Sequence, residues 1–275
     1  MNKDDKIYIA GHRGLVGSAI LRNLQSLGYN NLLLKTHKEL DLTSQSDVQA
    51  LFQNEKPDYV LLAAAKVGGI LENSKKPGEF LYDNLMIQNN VIHQSYVHNV
   101  KKLLFLGSSC IYPKMSIQPI KEEYLLSGFL EPTNQSYAIA KISGIQMCDS
   151  YRTQYGCDFI SAMPTNLYGP NDNFDLNSSH VNPALLRKFY EAKKNDEKSV
   201  ILWGDGSPLR EFLHVDDLGQ AVLFALENTL EENLYNVGTG SDLTIKELSV
   251  LIQSTVGHSG EINWDITKPN GTPRK

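Results

Sequence analysis

The sequence predicts an α/β fold in which a doubly wound parallel sheet is followed by a smaller C-terminal α/β lobe. Short, wholly apolar runs alternate with longer amphipathic stretches in the first part of the chain, and a glycine-rich turn follows the first run. From about residue 171 the pattern changes to a polar loop, a basic helix and short strand-like pieces. Strands that are apolar throughout need helices on both faces, which favours a parallel sheet with crossover helices.

Four apolar runs supply the first strands, with segments long enough for helices between them: Ile7–Ala10, Leu32–Leu34, Tyr59–Ala63 and Leu103–Leu106. The second part predicts a basic helix over Pro183–Lys194 and strands over Val200–Trp203 and Glu211–Val215. Residues near 211–240 are expected to return to the first sheet, because Asp216–Glu227 and Leu234–Val237 have the pattern of a helix and a strand. A polar, proline-containing turn precedes Lys275, and we expect the chain to be truncated at its C-terminus.

Composition excludes several classes of protein. The 275 residues carry a formal net charge of -5 without a block of lysines and arginines, so a nucleic-acid surface is not expected. Cys110, Cys148 and Cys157 are too few and too irregularly spaced for a disulfide framework or a zinc site, and we expect no bound metal. No secretory leader or membrane-spanning run is apparent, which favours a cytoplasmic protein without membrane contacts.

The glycine-rich turn has the pattern GxxGxxG and opens a helix predicted over Leu15–Leu27. Such glycines let the backbone approach a pyrophosphate, whose charge then lies at free N–H groups of the helix N-terminus. The expected cofactor contacts are Gly11, His12, Arg13, Gly14, Leu15, Val16 and Gly17. Residues 1–170 are therefore interpreted as a Rossmann-type dinucleotide-binding domain, and residues 171–275 mainly as a substrate-binding lobe. A purely structural turn is the alternative.

The second strand is followed by Lys35-Thr36-His37-Lys38, where an NAD-specific site would need a carboxylate for the ribose 2′-hydroxyl. Cations at this point, together with Arg13, would instead pair with a 2′-phosphate. We therefore predict NADP(H), with His37 near the phosphate and Asp41 near the adenine. The alternative is a solvated loop that happens to be basic.

A tyrosine and a lysine lie one helical turn apart in Tyr137-Ala138-Ile139-Ala140-Lys141. Their i,i+4 spacing places the phenol and the ammonium on one helix face, where the positive charge is expected to lower the phenol pKa. Ser108 follows the fourth strand, at the carboxyl edge where such sheets bind ligands. Serine, tyrosine and lysine together predict a reductase that polarises and protonates a carbonyl group.

Beyond these three elements, the chain resembles the GDP-L-fucose synthases of the extended short-chain dehydrogenase/reductase family nearly end to end. The similar segments are Ala10–Gly14, Ala63–Ile70, Leu106–Pro113, Pro132–Asn134, Pro164–Pro170, Ser179–Val181 and Arg210–Asp217. The resemblance implies NADPH-dependent 3,5-epimerisation and C4 reduction of GDP-4-keto-6-deoxy-mannose in one active site. It also implies a homodimer through two long helices, for which Leu81–Asn99 and Ser143–Tyr155 are the candidates.

The resemblance assigns roles residue by residue. Tyr137 would protonate O4, Lys141 would assist it and bind the nicotinamide ribose, and Ser108 would polarise the carbonyl. Cys110 and His180 match the acid and base of the epimerisations. Further cofactor contacts would be Leu106, Gly107, Ser108, Ser109, Lys141, Pro164, Thr165, Asn166, Leu167 and His180. The GDP-sugar would be bound by Lys188, Trp203, Arg210 and Asn270.

Two residues depart from the family pattern and leave the exact sugar open. Lys188 lies where an arginine is often found, and Asn270 where an aspartate is often found, so a related GDP-4-keto sugar such as a heptose is an alternative substrate. Three other functions remain as alternatives: a nucleotide-sugar 4-epimerase, a 4,6-dehydratase and a non-catalytic dinucleotide sensor. A 4-epimerase would need a carboxylate after the second strand, and a 4,6-dehydratase would need an Asp/Glu pair near Cys110; both are missing. A non-catalytic sensor would be free to lose Tyr137 and Lys141, and both are present.

Overall fold

The fold is described by a computed structural model, which covers residues 1–176, 178–268 and 270–275. The strands are β1 (Ile7–Ala10), β2 (Leu32–Leu33), β3 (Tyr59–Leu62), β4 (Lys102–Leu106), β5 (Phe159–Pro164), β6 (Asn166–Tyr168), β7 (Ser199–Trp203), β8 (Leu209–His214), β9 (Leu234–Val237), β10 (Asp242–Thr244) and β11 (Glu261–Asp265). The α-helices are α1 (Leu15–Ser26), α2 (Gln45–Glu55), α3 (Ile70–Lys75), α4 (Pro77–Val97), α5 (Gln135–Tyr155), α6 (Val181–Lys194), α7 (Val215–Glu227) and α8 (Ile245–Val256).

The central sheet has six strands in the order β2-β1-β3-β4-β5-β9, and every neighbouring pair is parallel. The predicted doubly wound parallel sheet is therefore confirmed. The strand predicted over Leu234–Val237 does return to this sheet, where it pairs with β5 in the register Ser161↔Leu234. Strand order reverses between β1 and β3, the kind of position at which open parallel sheets bind ligands.

Helices cover both faces of this sheet, as the wholly apolar strands require. Tyr8 and Ala10 point into a core beneath α2, α4 and α5, whereas Ile7 and Ile9 point into a core beneath α1 and α7. All four of these side chains are essentially inaccessible to water. Two-sided burial explains why these strands lack the apolar-polar alternation of a half-exposed sheet.

The second lobe is built from a three-stranded sheet, β10-β8-β6, and a two-stranded parallel pair, β11-β7. Helices α6 and α8 pack on it around Leu185, Phe189, Val200, Leu248 and Ile252. Helix α8 begins with a capping box between Thr244 and Glu247. In the described part of the chain, no helix combines the length and apolar character needed to cross a membrane.

The chain crosses between the central sheet and the second lobe three times through very short connections. Only Thr165 separates β5 from β6, β8 passes directly into α7, and residues 238–241 join β9 to β10. The side-chain hydroxyl of Thr165 and the amide of Asn166 both donate to the carbonyl of Glu211, at 3.0 and 2.9 Å. These crossings bring the carboxyl ends of β4 and β5 against the second lobe.

Candidate active site

The glycine turn is shaped so that side chains are excluded from it. Gly11 has φ +90, and a Cβ on it would lie 2.8 Å from the backbone nitrogen of Ala64 in the loop after β3. A Cβ on Gly17 would lie 2.2 Å from the carbonyl oxygen of Gly11. The turn therefore packs directly on its own helix and on the neighbouring loop, and Gly14 precedes α1 as its N-cap without a side-chain cap. This cradle of backbone N–H groups at a helix N-terminus fits a pyrophosphate.

The turn after β2 combines cations with a carboxylate that the sequence analysis missed. Glu39 accepts hydrogen bonds from the backbone nitrogen and the hydroxyl of Thr36, at 2.8 and 2.7 Å, and these bonds lower its pKa. Asp41 likewise accepts hydrogen bonds from the backbone nitrogen and the hydroxyl of Thr43, and these bonds lower its pKa. The nearby His37 lowers the Asp41 pKa further, by a smaller amount. Both carboxylates thus accept hydrogen bonds from threonines within their own turn.

Ser108 and Cys110 lie just beyond the end of β4. Ser108 caps a short 3-10 helix, Ser109–Ile111, by accepting a bond from the backbone nitrogen of Cys110 at 3.5 Å. Cys110 is 7% exposed, so its thiol lies at the floor of the site rather than on its rim. The fold therefore holds the hydroxyl and the thiol on one rigid turn.

Tyr137 and Lys141 lie in the first turns of α5 and face the end of β4, as predicted. Lys141 is 3% exposed and donates from Nζ to the carbonyl of Leu106 at 2.8 Å. Burial raises the pKa of Tyr137; Cys110 raises it further, and a hydrogen bond with Ser108 opposes the rise. The net direction is opposite to the lowering expected from Lys141, because desolvation of the phenolate outweighs a charge that is directed at Leu106.

Lys141 is itself affected by the same burial. Desolvation lowers the pKa of its ammonium to about 8, with a smaller opposing effect from Cys110. A buried lysine with this pKa is mostly charged at neutral pH and loses its proton in the mildly alkaline range. The described residues therefore bring Ser108, Tyr137, Lys141 and Cys110 into one cluster at the carboxyl edge of the sheet.

His180 approaches this cluster from the second lobe, where it is the N-cap residue of α6. His180 is exposed to solvent, but protein atoms crowd around its ring. The resulting desolvation lowers its pKa, and the charge of Lys275 lowers it further. The direction of this shift favours the neutral imidazole, which is the form that can accept a proton.

Lys275 is a member of the site that the sequence analysis did not identify. Its backbone extends the edge of β8, with hydrogen bonds of 3.2 Å to Leu209 and from Glu211. Burial lowers the pKa of its ammonium, Cys110 opposes this, and Arg210 adds to it. Lys275 therefore lies among Cys110, His180 and Arg210. No pattern marked it, since it follows a polar turn outside any predicted element.

The four residues expected to bind the GDP-sugar all lie in the second lobe. Lys188 donates to the carbonyl of Ile201 at 3.0 Å, and Arg210 donates to that of Leu209 at 2.7 Å. Trp203 is 49% exposed, with the ammonium of Lys268 5.7 Å from its ring centroid. Asn270 accepts from the backbone nitrogen of Asp205 at 3.0 Å, so it orders the turn beside Trp203.

Two loops meet above the sheet on the side of the site. The backbone nitrogen of Gly69 donates to the carbonyl of Ser178 at 2.9 Å, and a Cβ on Gly69 would lie 2.9 Å from the carbonyl oxygen of Ser179. Lys66, in the first of these loops, is held to α4 by Glu79 and Asp83, at 2.6 and 2.8 Å. The loop that precedes His180 is thereby fixed against the central domain.

Comparison with known proteins places the fold in a family. Residues 7–238 match the model of the NAD dependent epimerase/dehydratase family. GDP-L-fucose synthase 1 of Arabidopsis thaliana is 61% identical over 274 residues, covering 100% of this chain and 85% of the relative. GDP-L-fucose synthase of Escherichia coli (strain K12) is 53% identical, covering 98% and 87%. A GDP-mannoheptose C4 reductase from Campylobacter jejuni, solved with NADP bound, has a TM-score of 0.88 at 43% identity, covering 96% and 89%.

Proposed function

This chain belongs to the NAD dependent epimerase/dehydratase family, and on that premise we propose that it converts GDP-4-keto-6-deoxy-mannose to GDP-L-fucose with NADPH. The observation that carries the proposal is the convergence of Ser108, Tyr137 and Lys141 at the end of β4. High identity to GDP-L-fucose synthases from a plant and a bacterium supports the substrate class.

Reduction at C4 would use the hydroxyl groups of Ser108 and Tyr137, both of which are partly buried. Ser108 and Tyr137 would both hydrogen-bond the C4 carbonyl oxygen, and Tyr137 would give it a proton as the carbon is reduced. A phenol whose pKa is raised by burial keeps its proton until the oxygen of the substrate becomes strongly basic. The ammonium of Lys141 would stabilise the phenolate that remains.

Epimerisation at C3 and C5 precedes reduction and needs a base and an acid near the ring. The C4 carbonyl makes the hydrogens on both neighbouring carbons acidic, and Ser108 and Tyr137 would stabilise the negative charge on O4. Cys110 and His180 approach from the central domain and from the second lobe, so one can remove a proton and the other return it on the opposite face. Lys275 adds positive charge close to both residues.

The cofactor would lie across the glycine turn, with Gly11, Gly14 and Gly17 against its pyrophosphate. The glycine cradle, which a Cβ would fill, fits this group. When bound, NADPH supplies the hydride for C4. Arg13 and His37 would pair with the 2′-phosphate, while the Glu39 carboxylate accepts two hydrogen bonds from Thr36 in the same turn.

The second lobe would bind the GDP portion. Arg210 and Lys188 supply cations for the diphosphate, and the exposed face of Trp203 suits a stacked guanine. A GDP-4-keto heptose is the second candidate substrate, since a relative solved with NADP bound is a GDP-mannoheptose C4 reductase at 43% identity. Lys188 and Asn270, which depart from the family pattern, lie in this lobe and could determine which of the two sugars is bound.

The deciding experiment supplies purified protein with NADPH and a panel of GDP-4-keto sugars, and identifies each product by mass spectrometry and NMR. We expect NADPH loss and GDP-L-fucose from the 6-deoxy-manno substrate. Reduction of the heptose substrate alone would favour the second candidate, and no NADPH loss with any substrate would reject both.

We also propose a cytoplasmic homodimer formed through α4 and α5. Tyr96, Tyr151 and Tyr155 cluster where these helices lie side by side, and the rings of Tyr96 and Tyr155 stack with centroids 4.2 Å apart. Tyr155 is 46% exposed and Val97 is 47% exposed, which leaves an apolar surface along both helices. Sedimentation of the protein and of Val97→Glu tests this, since the dimer should be lost in the variant.

A further inference from the structure

The ammonium of Lys141 lies between aromatic rings as well as beside a carbonyl group. Its Nζ is 4.7 Å from the ring centroid of Phe105 and 5.8 Å from that of Tyr137. The carbonyl of Leu106 accepts one of its hydrogen bonds. Phe105 lies in β4 and is 1% exposed, so its ring faces the lysine within the protein interior.

The fold makes specific room for this ring. Gly144 lies on α5 one turn after Lys141, and a Cβ there would come within 2.5 Å of Cζ and 2.8 Å of Cε1 of Phe105. The same Cβ would lie 2.9 Å from Oε1 of Gln88, whose amide donates to the carbonyl of Ala140 at 2.6 Å. Only glycine at position 144 allows the ring tip to lie beneath the helix next to the ammonium.

A cation in a water-poor site is stabilised by the electron-rich face of an aromatic ring, and this attraction strengthens when water is excluded. The ring has no proton to exchange and no charge of its own, so it favours the ammonium without repelling the phenol of Tyr137. A carboxylate in the same place would pair with Lys141 and draw it away from the reaction centre. An aromatic face instead leaves the N–H groups of the ammonium free for other acceptors.

We propose that Phe105 is a positioning residue for the reduction, whose ring face keeps the buried ammonium of Lys141 charged and in place between Leu106 and Tyr137. This inference rests on the role of Lys141 in the proposed function. It adds a residue that carries no polar group and belongs to the core of the sheet.

Other titratable groups lie near Lys141, and a titration must distinguish the Lys141 midpoint from theirs. Tyr137 faces it from α5 and Cys110 from the short helix after β4, while Lys275 and His180 approach Cys110 from the second lobe. Fluorination of the Phe105 ring leaves all of these in place, because it withdraws electron density from the ring face with little change of shape.

The test incorporates phenylalanine carrying one, two or three fluorine atoms at position 105 of the full chain. The titration midpoint of Lys141 is followed by NMR of its ¹³C-labelled Cε, and the alkaline limb of NADPH oxidation is followed in parallel. We expect both to fall stepwise with fluorine number, by about one pH unit in total. The matched control is the same series at Phe159, a buried ring in the neighbouring strand that stacks on Tyr151 instead of a cation.

An unchanged Lys141 midpoint across the Phe105 series, or an equal shift across the Phe159 series, would overturn the inference. Phe105→Leu provides a second measurement, in which the midpoint should fall at least as far as with three fluorine atoms. A protein whose Lys141 midpoint responds as expected but that reduces none of the GDP-4-keto sugars would confirm that Phe105 stabilises the ammonium, and would reject the proposed function.

Discussion

The ring of Phe80 meets the ring of Tyr137 edge-on, with the centroids 6.3 Å apart and the planes at 85°. Phe80 is fully buried near the start of α4, so its packing fixes the direction of the Tyr137 ring. Its side chain has no polar group that could bond the Tyr137 hydroxyl. Packing of the ring and chemistry of the hydroxyl are therefore separable in this site. That separation makes removal of the hydroxyl a clean test.

Tyr137→Phe should abolish NADPH oxidation while solvent deuterium still enters C3 and C5 of the sugar. The ring contact with Phe80 is retained and Cys110 and His180 are untouched, so the variant loses the proton for O4 and one of the two hydrogen bonds to that oxygen, while Ser108 keeps the other. Reduction should fall by about 10³-fold or more, and exchange by much less. NMR of the recovered GDP-sugar measures exchange, and full reduction by the variant would remove Tyr137 from the mechanism.

Cys110→Ser and His180→Asn should show the opposite pattern. Each removes one group able to carry a proton to or from the ring carbons, and neither residue contributes to the glycine turn. Deuterium exchange should fall by about 10²-fold or more in both variants, and the Kd for NADPH should stay within about twofold of the original in Cys110→Ser. Unchanged exchange in either variant would exclude that residue from epimerisation.

The sequence predicted the central domain well because its signals are local. Four wholly apolar runs, a glycine turn with a helix after it and the i,i+4 spacing of Tyr137 and Lys141 each lie within one short segment. Each predicted strand was found within two residues of its expected bounds, β8 showing the largest difference because it begins at Leu209. Hydrogen bonding to β10 extends β8 over its first residues, although their side chains do not show the apolar pattern of a strand.

The site was predicted less completely because several of its properties arise between distant segments. Lys275 lies near Cys110 because its backbone pairs with Leu209 and Glu211 of β8, and no local pattern records that contact. The direction of the Tyr137 pKa was predicted wrongly, since spacing shows the neighbouring charge but not the depth of burial. Glu39 was missed because its carboxylate acts through Thr36, within a turn that looked simply basic.

Arg13→Ala and His37→Ala should weaken NADPH binding more than NADH binding. The two cations are proposed to face the 2′-phosphate, which NADH lacks, so the ratio of the Kd values should change by about tenfold. Arg22→Ala is the matched control, since it removes a charge from α1 that is paired with Asp216 instead. Isothermal titration with both cofactors gives the ratios, and an equal loss for both would refute the assignment.

Lys141→Met should inactivate reduction and stabilise the protein at neutral pH. The native pKa of Lys141 is lowered from 10.5 to about 8, so below pH 8 the folded state carries the full cost of a buried charge. Between these two values the unfolded state binds more protons, and the cost disappears as pH rises. The variant should melt about 2 to 4 °C higher at pH 7, and this advantage should vanish by about pH 10. Melting curves of both proteins across that range test it, and a difference independent of pH would contradict it.

Gly17→Ala should disrupt the cofactor turn. The added Cβ would overlap the carbonyl oxygen of Gly11, so either the turn or the start of α1 must shift. We expect NADPH binding to weaken by at least about tenfold, with a stability loss of about 1 to 3 kcal/mol. Gly78→Ala is the control, since nothing lies within 4 Å of a Cβ at that position in α4. Normal NADPH affinity in Gly17→Ala would show that the turn does not bind the cofactor.

The three short crossings between the central sheet and the second lobe limit how this protein can be recombined. A gene fragment ending after β5 would encode a sheet without its sixth strand, and the remainder would begin with β6, which pairs with β8 in the other lobe. Neither fragment is a transplantable module. Chimaeras between relatives that differ in sugar preference must therefore exchange the noncontiguous segments of the second lobe together, leaving β9 and α7 with their original partners.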